Sequence, residues 1–369
     1  MKYNKYLIFR DDGVGDLLLI TPVLKLIKKY DKKSNILLIS SSRNNSYAEL
    51  LLRENLVDDT YNIDQNKLFG RAYSLYYLVS KIHKFNPSVS LIYRQKLQSY
   101  LISKIFCKNN FGLVTINSSN YFKKRYRPFK FLTNYLLDDY VVIDQRDNFK
   151  NIYVDHWSDF YLDLFKKAYQ KIFNKNLSIT QKDKKYVKTI DENLNNILIK
   201  SLNEINNTSD FILLHIDEKW SNTNWSPHDL DNLIDKIIKS LNVKIIISEG
   251  ASENSYSDFI YKKYLYKKNK NTDFNISLTS SDKMKNVAIF KDLDIEKLIL
   301  LSLNASLVIT NHGSLTHFSS INDVPVIDLI HKNKKEYLKK YYPKSSVNEQ
   351  VILNSVEELL IIIKKLYKS

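Results

Sequence analysis

The feature that most constrains this chain is an alternation of short, strand-like apolar runs with helical segments, repeated in two separate series. In the first, residues 5–9, 35–40, 89–93 and 111–114 read as strands, and 16–30 and 97–106 read as helices. Strands that are apolar on both sides and joined by helices predict a mostly parallel sheet covered on its faces. The second series opens at 210–215, continues through 243–248, and ends with strands at 305–310 and 324–329. Between 175 and 210 the composition turns to Lys, Asp and Asn without a strand, which marks a connection. A chain of 369 residues exceeds the size at which one hydrophobic core stops growing. The expectation is therefore two Rossmann-like α/β domains, 1–175 and 176–350, with a terminal helix in 351–369 that packs back on the first. Sheets of this kind bind ligands at the carboxyl ends of their strands, so the two domains should face each other across a central cleft.

No apolar run approaches the roughly 18 residues of a membrane span; the longest near the end covers 359–363. Met1-Lys2-Tyr3-Asn4-Lys5 leads straight into the apolar residues 7–9 and then Arg10, without the apolar core or cleavage site of an export signal. A lone cysteine, Cys107, rules out internal disulfides and a thiolate metal cluster. These features point to a cytoplasmic protein. The net charge of +16 needs a partner or a compositional cause, and the abundance of Lys, Asn, Ile and Tyr supplies part of the latter. The basic clusters at 123–127 and 262–270 lie far apart and belong to no nucleic-acid-binding module, so nucleic acid is excluded as a partner. Phosphorylated substrates and an anionic membrane surface remain. No serine sits in a nucleophile elbow, and no His/Asp/Glu set has metal-ligand spacing, so no metal or bound cofactor is expected.

The most informative segment is Asp11-Asp12-Gly13-Val14-Gly15-Asp16-Leu17-Leu18-Leu19-Ile20-Thr21-Pro22, where the first strand meets the first helix. A dinucleotide fingerprint would need a third glycine where Leu18 stands, and the second strand ends in Ser40-Ser41-Ser42 without the ribose-binding acid. What remains is Asp16, which reads either as a helix cap or as a carboxylate poised at the ligand-binding end of the sheet. In the second series, Ala305 to His317 forms a strand followed by Asn311-His312-Gly313-Ser314 and, one turn on, His317. A glycine loop at a helix start offers N–H groups and a positive dipole end to a diphosphate, which His317 could also reach. The alternative is a buried, satisfied histidine.

The run Gly15-Asp16-Leu17-Leu18-Leu19-Ile20-Thr21-Pro22-Val23-Leu24 resembles the G-D-x-L-L-x-T-P-x-L of the lipopolysaccharide heptosyltransferases, glycosyltransferase family 9. Similarity continues through Val89 to Tyr93 with Arg94 and Ser99, through Asn110-Phe111-Gly112, and into the second half. There Asn311 to His317 is similar to D-[ST]-G-x-x-x-H, and Gly250 with Glu253 to a strand-Gly-x-x-E turn that holds the donor nucleoside. The resemblance implies the GT-B fold and an inverting, metal-independent transferase. Such an enzyme moves a heptose or related sugar from a nucleotide diphosphate to a lipopolysaccharide or other lipid-linked bacterial surface glycan, with Asp16 as general base. It implies donor contacts at Lys219, Thr223, Trp225, Gly250, Glu253, Asn311, His312, Gly313, Ser314 and His317. Acceptor contacts fall at Gly15, Arg94 and His156. Two positions depart from the pattern: Asn311 replaces the family aspartate, and Thr223 stands where K-x-W-P would place its lysine before Trp225, while Lys219 lies in the same loop beside Asp217 and Glu218. A non-catalytic nucleotide-sugar binder and a nucleotide-sugar epimerase of the same fold are the alternatives. Ser252 and Glu253 read equally as helix-start residues. The basic segment Lys123, Lys124, Arg125 and Arg127, with Tyr121, Phe122 and Tyr126, is expected either to touch the membrane reversibly or to be a solvated loop.

Overall fold

The computed structural model describes residues 4–63, 68–116, 127–144, 157–184, 192–204, 210–250, 255–264, 267–270, 275–278, 286–291, 293–330 and 348–367. They divide into two compact units, 1–186 and 187–369.

The first unit is built on a six-stranded sheet of β1 (Lys5–Phe9), β2 (Asn35–Ser41), β3 (Asp59–Ile63), β4 (Val89–Ile92), β5 (Asn109–Ile116) and β6 (Asp139–Asp144), in the order β3-β2-β1-β4-β5-β6. All pairings are parallel. The central strands bury every residue of Tyr6–Phe9 and Val89–Ile92, which explains their continuous apolar runs. The chain runs outward from β1 to β3 and then returns to β4, so the direction of winding reverses beside β1. That is where an α/β sheet opens a ligand site, and the Arg10–Asp16 turn occupies it.

The helix expected over 16–30 is two helices, Val14–Leu18 and Thr21–Tyr30. Pro22 has no N–H and sits in the first turn of the second helix, where that donor is unsatisfied in any case, so it starts a helix rather than continuing one. The unit extends past the expected boundary at 175/176 because the short helix Gln181–Lys184 returns to Thr21–Tyr30. Lys29 reaches Asp183 at 2.7 Å, and the hydroxyl of Tyr30 donates to the carbonyl of Ser178.

The second unit holds an eight-stranded sheet of β7 (Phe211–Ile216), β8 (Lys244–Glu249), β9 (Lys267–Lys270), β10 (Asn275–Leu278), β11 (Val287–Lys291), β12 (Leu307–Asn311), β13 (Val326–Ile330) and β14 (Asn348–Ile352). Their order is β14-β13-β12-β7-β8-β11-β10-β9. The strands are parallel except for the β11-β10-β9 edge, which is antiparallel. Here winding reverses between β7 and β12, so the loops at 217–219 and 311–313 share the switch point. One core layer joins Ile245, Ile247, Leu233 and Ile237 to Val356, Leu359 and Ile363. The terminal helix Val356–Tyr367, expected to return to the first domain, thus buries its apolar face in its own unit, next to the helix Pro227–Leu241. That helix begins with a capping box between Ser226 and Asp229 and ends at Asn242, whose φ of 50° is the left-handed stop that asparagine tolerates. No helix among the described residues is long and apolar enough to cross a membrane.

Candidate functional site

In the first unit a buried guanidinium organises the turn after β1. Arg10 Nη2 donates to Asp16 Oδ1 at 2.9 Å and to the hydroxyl of Tyr161 at 2.8 Å. Its Nε donates to the Asp16 carbonyl at 3.1 Å, and its Nη1 to the Tyr93 carbonyl. The Tyr161 ring lies 4.9 Å from the guanidinium carbon. Asp12 Oδ1 is also 3.1 Å from Arg10 Nε, so two carboxylates share one cation. Burial pushes Asp12 up to about 6, with Arg10 opposing and Asp16 adding to the rise. Asp11 is buried and receives Arg94 Nη1 on its carbonyl at 2.6 Å, with Lys96 on its carboxylate.

Asp16 is the third residue of the helix Val14–Leu18, whose N-cap is Gly13, and no side chain caps that helix. The capping reading of Asp16 is therefore wrong. Its side chain, about one third exposed, is held from the side by Arg10. A Cβ at position 13 would stand 3.4 Å from Asp16 Oδ2, so the glycine leaves that flank of the carboxylate uncrowded. Gly15 lies inside the same helix, and Arg94 is tethered to the same turn through Asp11.

In the second unit the loops after β7 and β12 lock together. Lys219 Nζ donates to the His312 carbonyl at 2.9 Å and lies 3.2 Å from Asp217 Oδ2, while its side chain remains 43% exposed, enough to present charge to a ligand. Buried Asp217 also accepts from Lys219 N at 3.1 Å and from Asn311 Nδ2 at 3.2 Å. This contact gives a physical reason for asparagine at 311: an aspartate there would set a second buried carboxylate against the first. The Asp217 charge, which alone would repel a diphosphate, is met by the lysine and the amide.

Gly250 belongs to the same knot. Its N–H donates to the Ile216 carbonyl at 2.9 Å, and a Cβ would meet Asp217 Cβ at 2.9 Å and Cα at 3.0 Å, closer than side chains approach backbone. Gly313 is the N-cap of the helix Ser314–Ile321 in an extended conformation, and a Cβ there would meet Lys219 Nζ at 2.8 Å. His312 Nδ1 pairs with the fully buried Asp328 at 2.8 Å, and Asp328 also accepts from Thr316 Oγ1 and Gln350 Nε2. The His317 ring is buried 5.1 Å from that of His312, edge to face.

The structure thus brings Lys219, Gly250, Asn311, His312, Gly313, Ser314 and His317 to one switch point, and Gly15, Asp16 and Arg94 to the other. It does not bring Thr223 and Trp225 there. Thr223 ends the short helix Glu218–Asn222, donating to the Trp220 carbonyl at 2.7 Å, and Trp225 is buried in the core. His156, Glu253 and the segment 121–126 lie outside the described residues; Arg127 begins the described helix Arg127–Leu136. Sequence reasoning missed Arg10, Asp12, Tyr161, Asp217 as an organiser, and Asp328. Asp328 sits inside an apolar strand, where a lone acid pointing to a polar partner was the available signal. Tyr161 carries none, since it lies 151 residues from Arg10. Among the described residues no group of three His, Cys, Asp or Glu is placed to hold a metal ion.

No family model and no curated protein matches the sequence. Solved structures do resemble it over its whole length. A glycosyl transferase of family 9 from Veillonella parvula shares 14% identity, with 100% of this chain and 98% of that one covered at a TM-score of 0.65. The E. coli ADP-heptose lipopolysaccharide heptosyltransferase II shares 11%, covering 99% and 98% at 0.64. A UDP-GlcNAc 2-epimerase from Neisseria meningitidis, bound to UDP-GlcNAc, shares 10%, covering 99% and 91% at 0.55. The fold is the GT-B fold, and the likeness to heptosyltransferases read from the Gly15–Leu24 motif recurs in three dimensions.

Proposed function

We propose that the chain is an inverting glycosyltransferase that moves a heptose or related sugar from a nucleotide diphosphate to a lipopolysaccharide or other surface-glycan acceptor at the inner face of the inner membrane. The observation that carries this reading is Asp16, a carboxylate at the sheet's switch point that is oriented by a buried guanidinium and spent on no cap. In the reaction Asp16 takes the acceptor hydroxyl proton as the new C–O bond forms, and the bond from the anomeric carbon to the diphosphate breaks with its electron pair leaving on phosphate. Arg10 holds the carboxylate in one orientation. The Lys219 ammonium and the N–H groups of the helix start at Gly313 receive the departing negative charge. No step calls for a metal.

Two of the resembling structures support the choice of reaction. One resembling protein is an ADP-heptose transferase, and the other resembling class, the UDP-GlcNAc 2-epimerases, handles nucleotide sugars on the same fold. The latter also supports a second reading, epimerisation, because fold alone does not fix the reaction. A thermal-shift screen of ADP, UDP, GDP and CMP sugars identifies the donor, since a ligand at 100 times its dissociation constant stabilises by roughly 2.7 kcal/mol. Product analysis with that donor then decides. Free nucleotide plus an extended acceptor is expected; an isomerised nucleotide sugar establishes the epimerase, and an unconsumed one a binding protein.

A further inference from the structure

In the first unit, the three helices Leu68–Phe85, Leu97–Phe106 and Arg127–Leu136 follow β3, β4 and β5. The right-handed crossovers of a parallel sheet place all three on one face, and they contact their neighbours side by side. Their inner residues, among them Leu78, Ile82, Tyr100 and Leu136, join β1, β2, β4 and β5 in one core. Their outer surfaces are also apolar. Tyr76 is 69% exposed, Ile105 73% and Tyr135 72%, with Leu75, Tyr77 and Leu101 exposed beside them. Few other large hydrophobic side chains are exposed among the described residues, and those are scattered.

The charge on these helices is one-sided. Asp and Glu make up 40 of the 369 residues, yet the three helices contain none, while carrying Arg71, Lys81, Lys84, Lys104, Arg127 and Lys130. Helices on the opposite face differ: Trp157–Phe173 carries Asp159 and Asp163, paired to Lys184 and Lys166. Lys104 sets its ammonium 5.8 Å over the exposed ring of Tyr135, and Lys81 is tied to Asp59.

We propose that the face formed by these three acid-free helices, with exposed tyrosines and aliphatics among its lysines, docks on an anionic phospholipid bilayer. Tyrosine and lysine are the residues that settle at a membrane interface, with the ring at headgroup depth and the ammonium on lipid phosphate. A protein partner fits less well, because lysine is depleted from protein interfaces while acids and bases are usually both present at their rims. The inference stands on this surface alone and needs no particular reaction at the sugar site.

The test is flotation of the full chain with vesicles of phosphatidylcholine containing phosphatidylglycerol, against phosphatidylcholine alone, without any nucleotide sugar. Wild type floats with the anionic vesicles only, and high salt weakens it. The triple variant Tyr76→Ser, Ile105→Ser, Tyr135→Ser, with an unchanged melting transition, partitions at least about tenfold less, since each lost side chain removes interfacial burial. Ile361→Ser, an exposed apolar residue on the terminal helix of the second unit, changes nothing. Independently, Ile105→Trp gives fluorescence that brominated phosphatidylglycerol vesicles quench. Equal flotation of wild type and triple variant, or a tryptophan at 105 that the lipid leaves unquenched, overturns the proposal. So does a homodimer that the triple variant dissociates while neither protein binds vesicles.

Discussion

The turn after β1 and the turn after β12 have the same local build: a buried parallel strand, a bend with glycine at the N-cap, and a helix start at the switch point of a sheet. Their electrostatics are opposite. The first sets Asp12 and Asp16 against Arg10, with Asp11 held by Arg94 and Lys96, and leaves the Asp16 carboxylate about one third exposed. The second meets Asp217 with the Asn311 amide and the Lys219 ammonium, and leaves that ammonium partly exposed beside a helix start. A helix N-terminus favours an anion, and the two units use that bias differently. In one the anion is built in as Asp16. In the other the place is left for an incoming anion. Under the proposed function, the same local build would supply a base in one unit and a leaving-group cradle in the other, with the residue facing the helix start deciding which.

The hardest strike at that contrast is removal of the built-in anion. Asp16→Asn keeps an oxygen for Arg10 but loses the basicity, so turnover should fall by about 10²- to 10⁴-fold while donor affinity, measured by titration calorimetry, stays within about twofold. Wild-type turnover in this variant with a verified acceptor removes Asp16 from the mechanism. Loss of donor binding instead would mean that the first turn, and not the second, holds the nucleotide.

The two turns should also respond to pH in opposite directions. The native state holds a proton on Asp12 more tightly than the unfolded chain does, so that contribution to stability is present below pH 4 and lost as pH rises through about 6, on the order of 3 kcal/mol. Beside the second turn, burial lowers the pKa of His215, which bonds Ser248 Oγ at 2.9 Å. The unfolded chain then binds the proton more readily, and stability falls as pH drops below 6.5. Hydrogen exchange at pH 5 and pH 7 should show β1 and β4 better protected at the lower value and β7 and β8 at the higher. Asp12→Asn should flatten only the first trend. A pH response of β1 and β4 that survives in this variant assigns the titration to another group.

A third effect, smaller, belongs to the cradle. Lys219→Ala should weaken donor binding by about 10- to 100-fold, the worth of a charge-assisted hydrogen bond. Its partner Asp217 would then be left buried with less compensation, so the melting temperature should fall as well. Lys219→Arg should restore stability more fully than affinity, because its fork matches Asp217 but reaches past the His312 carbonyl.

These outcomes bear on how much of the molecule was legible in the sequence. Central strands such as 6–9, 89–92 and 211–216 were plain because burial on both faces makes them uniformly apolar. The edges were not. β3 reads Asp-Thr-Tyr-Asn-Ile and β9 reads Lys-Lys-Asn-Lys, since a strand exposed along one side carries polar and charged residues that discourage further pairing. At the sites, Asp16, Gly313 and His317 were legible because a strand-to-helix turn fixes what stands there. The partners were hidden. Arg10 to Tyr161 and Asn311 to Asp217 are contacts between distant parts of the chain, and neither partner has an unusual neighbourhood of its own. Counting along the loop from Trp225 puts Thr223 at the motif's lysine position and leaves Lys219 as the alternative cation; the fold of the loop turns Lys219, and not Thr223, toward Gly313.

The smallest effect decides between those two positions. Thr223 Oγ1 donates to the Trp220 carbonyl at 2.7 Å and closes the short helix Glu218–Asn222, while Trp225 packs with Trp220 in the core at a ring distance of 6.4 Å. Thr223→Val keeps the volume and removes one hydrogen bond, which should cost about 1 kcal/mol of stability and leave the donor dissociation constant unchanged. Thr223→Lys should likewise add no affinity, because position 223 belongs to the end of the helix and the ammonium is already supplied from 219. Measured against Lys219→Ala in the same calorimetric titration, these variants place the cation by its effect. A drop in affinity for Thr223→Val as large as that for Lys219→Ala would return the donor contact to the motif position and leave Lys219 as a strut between Asp217 and the His312 carbonyl.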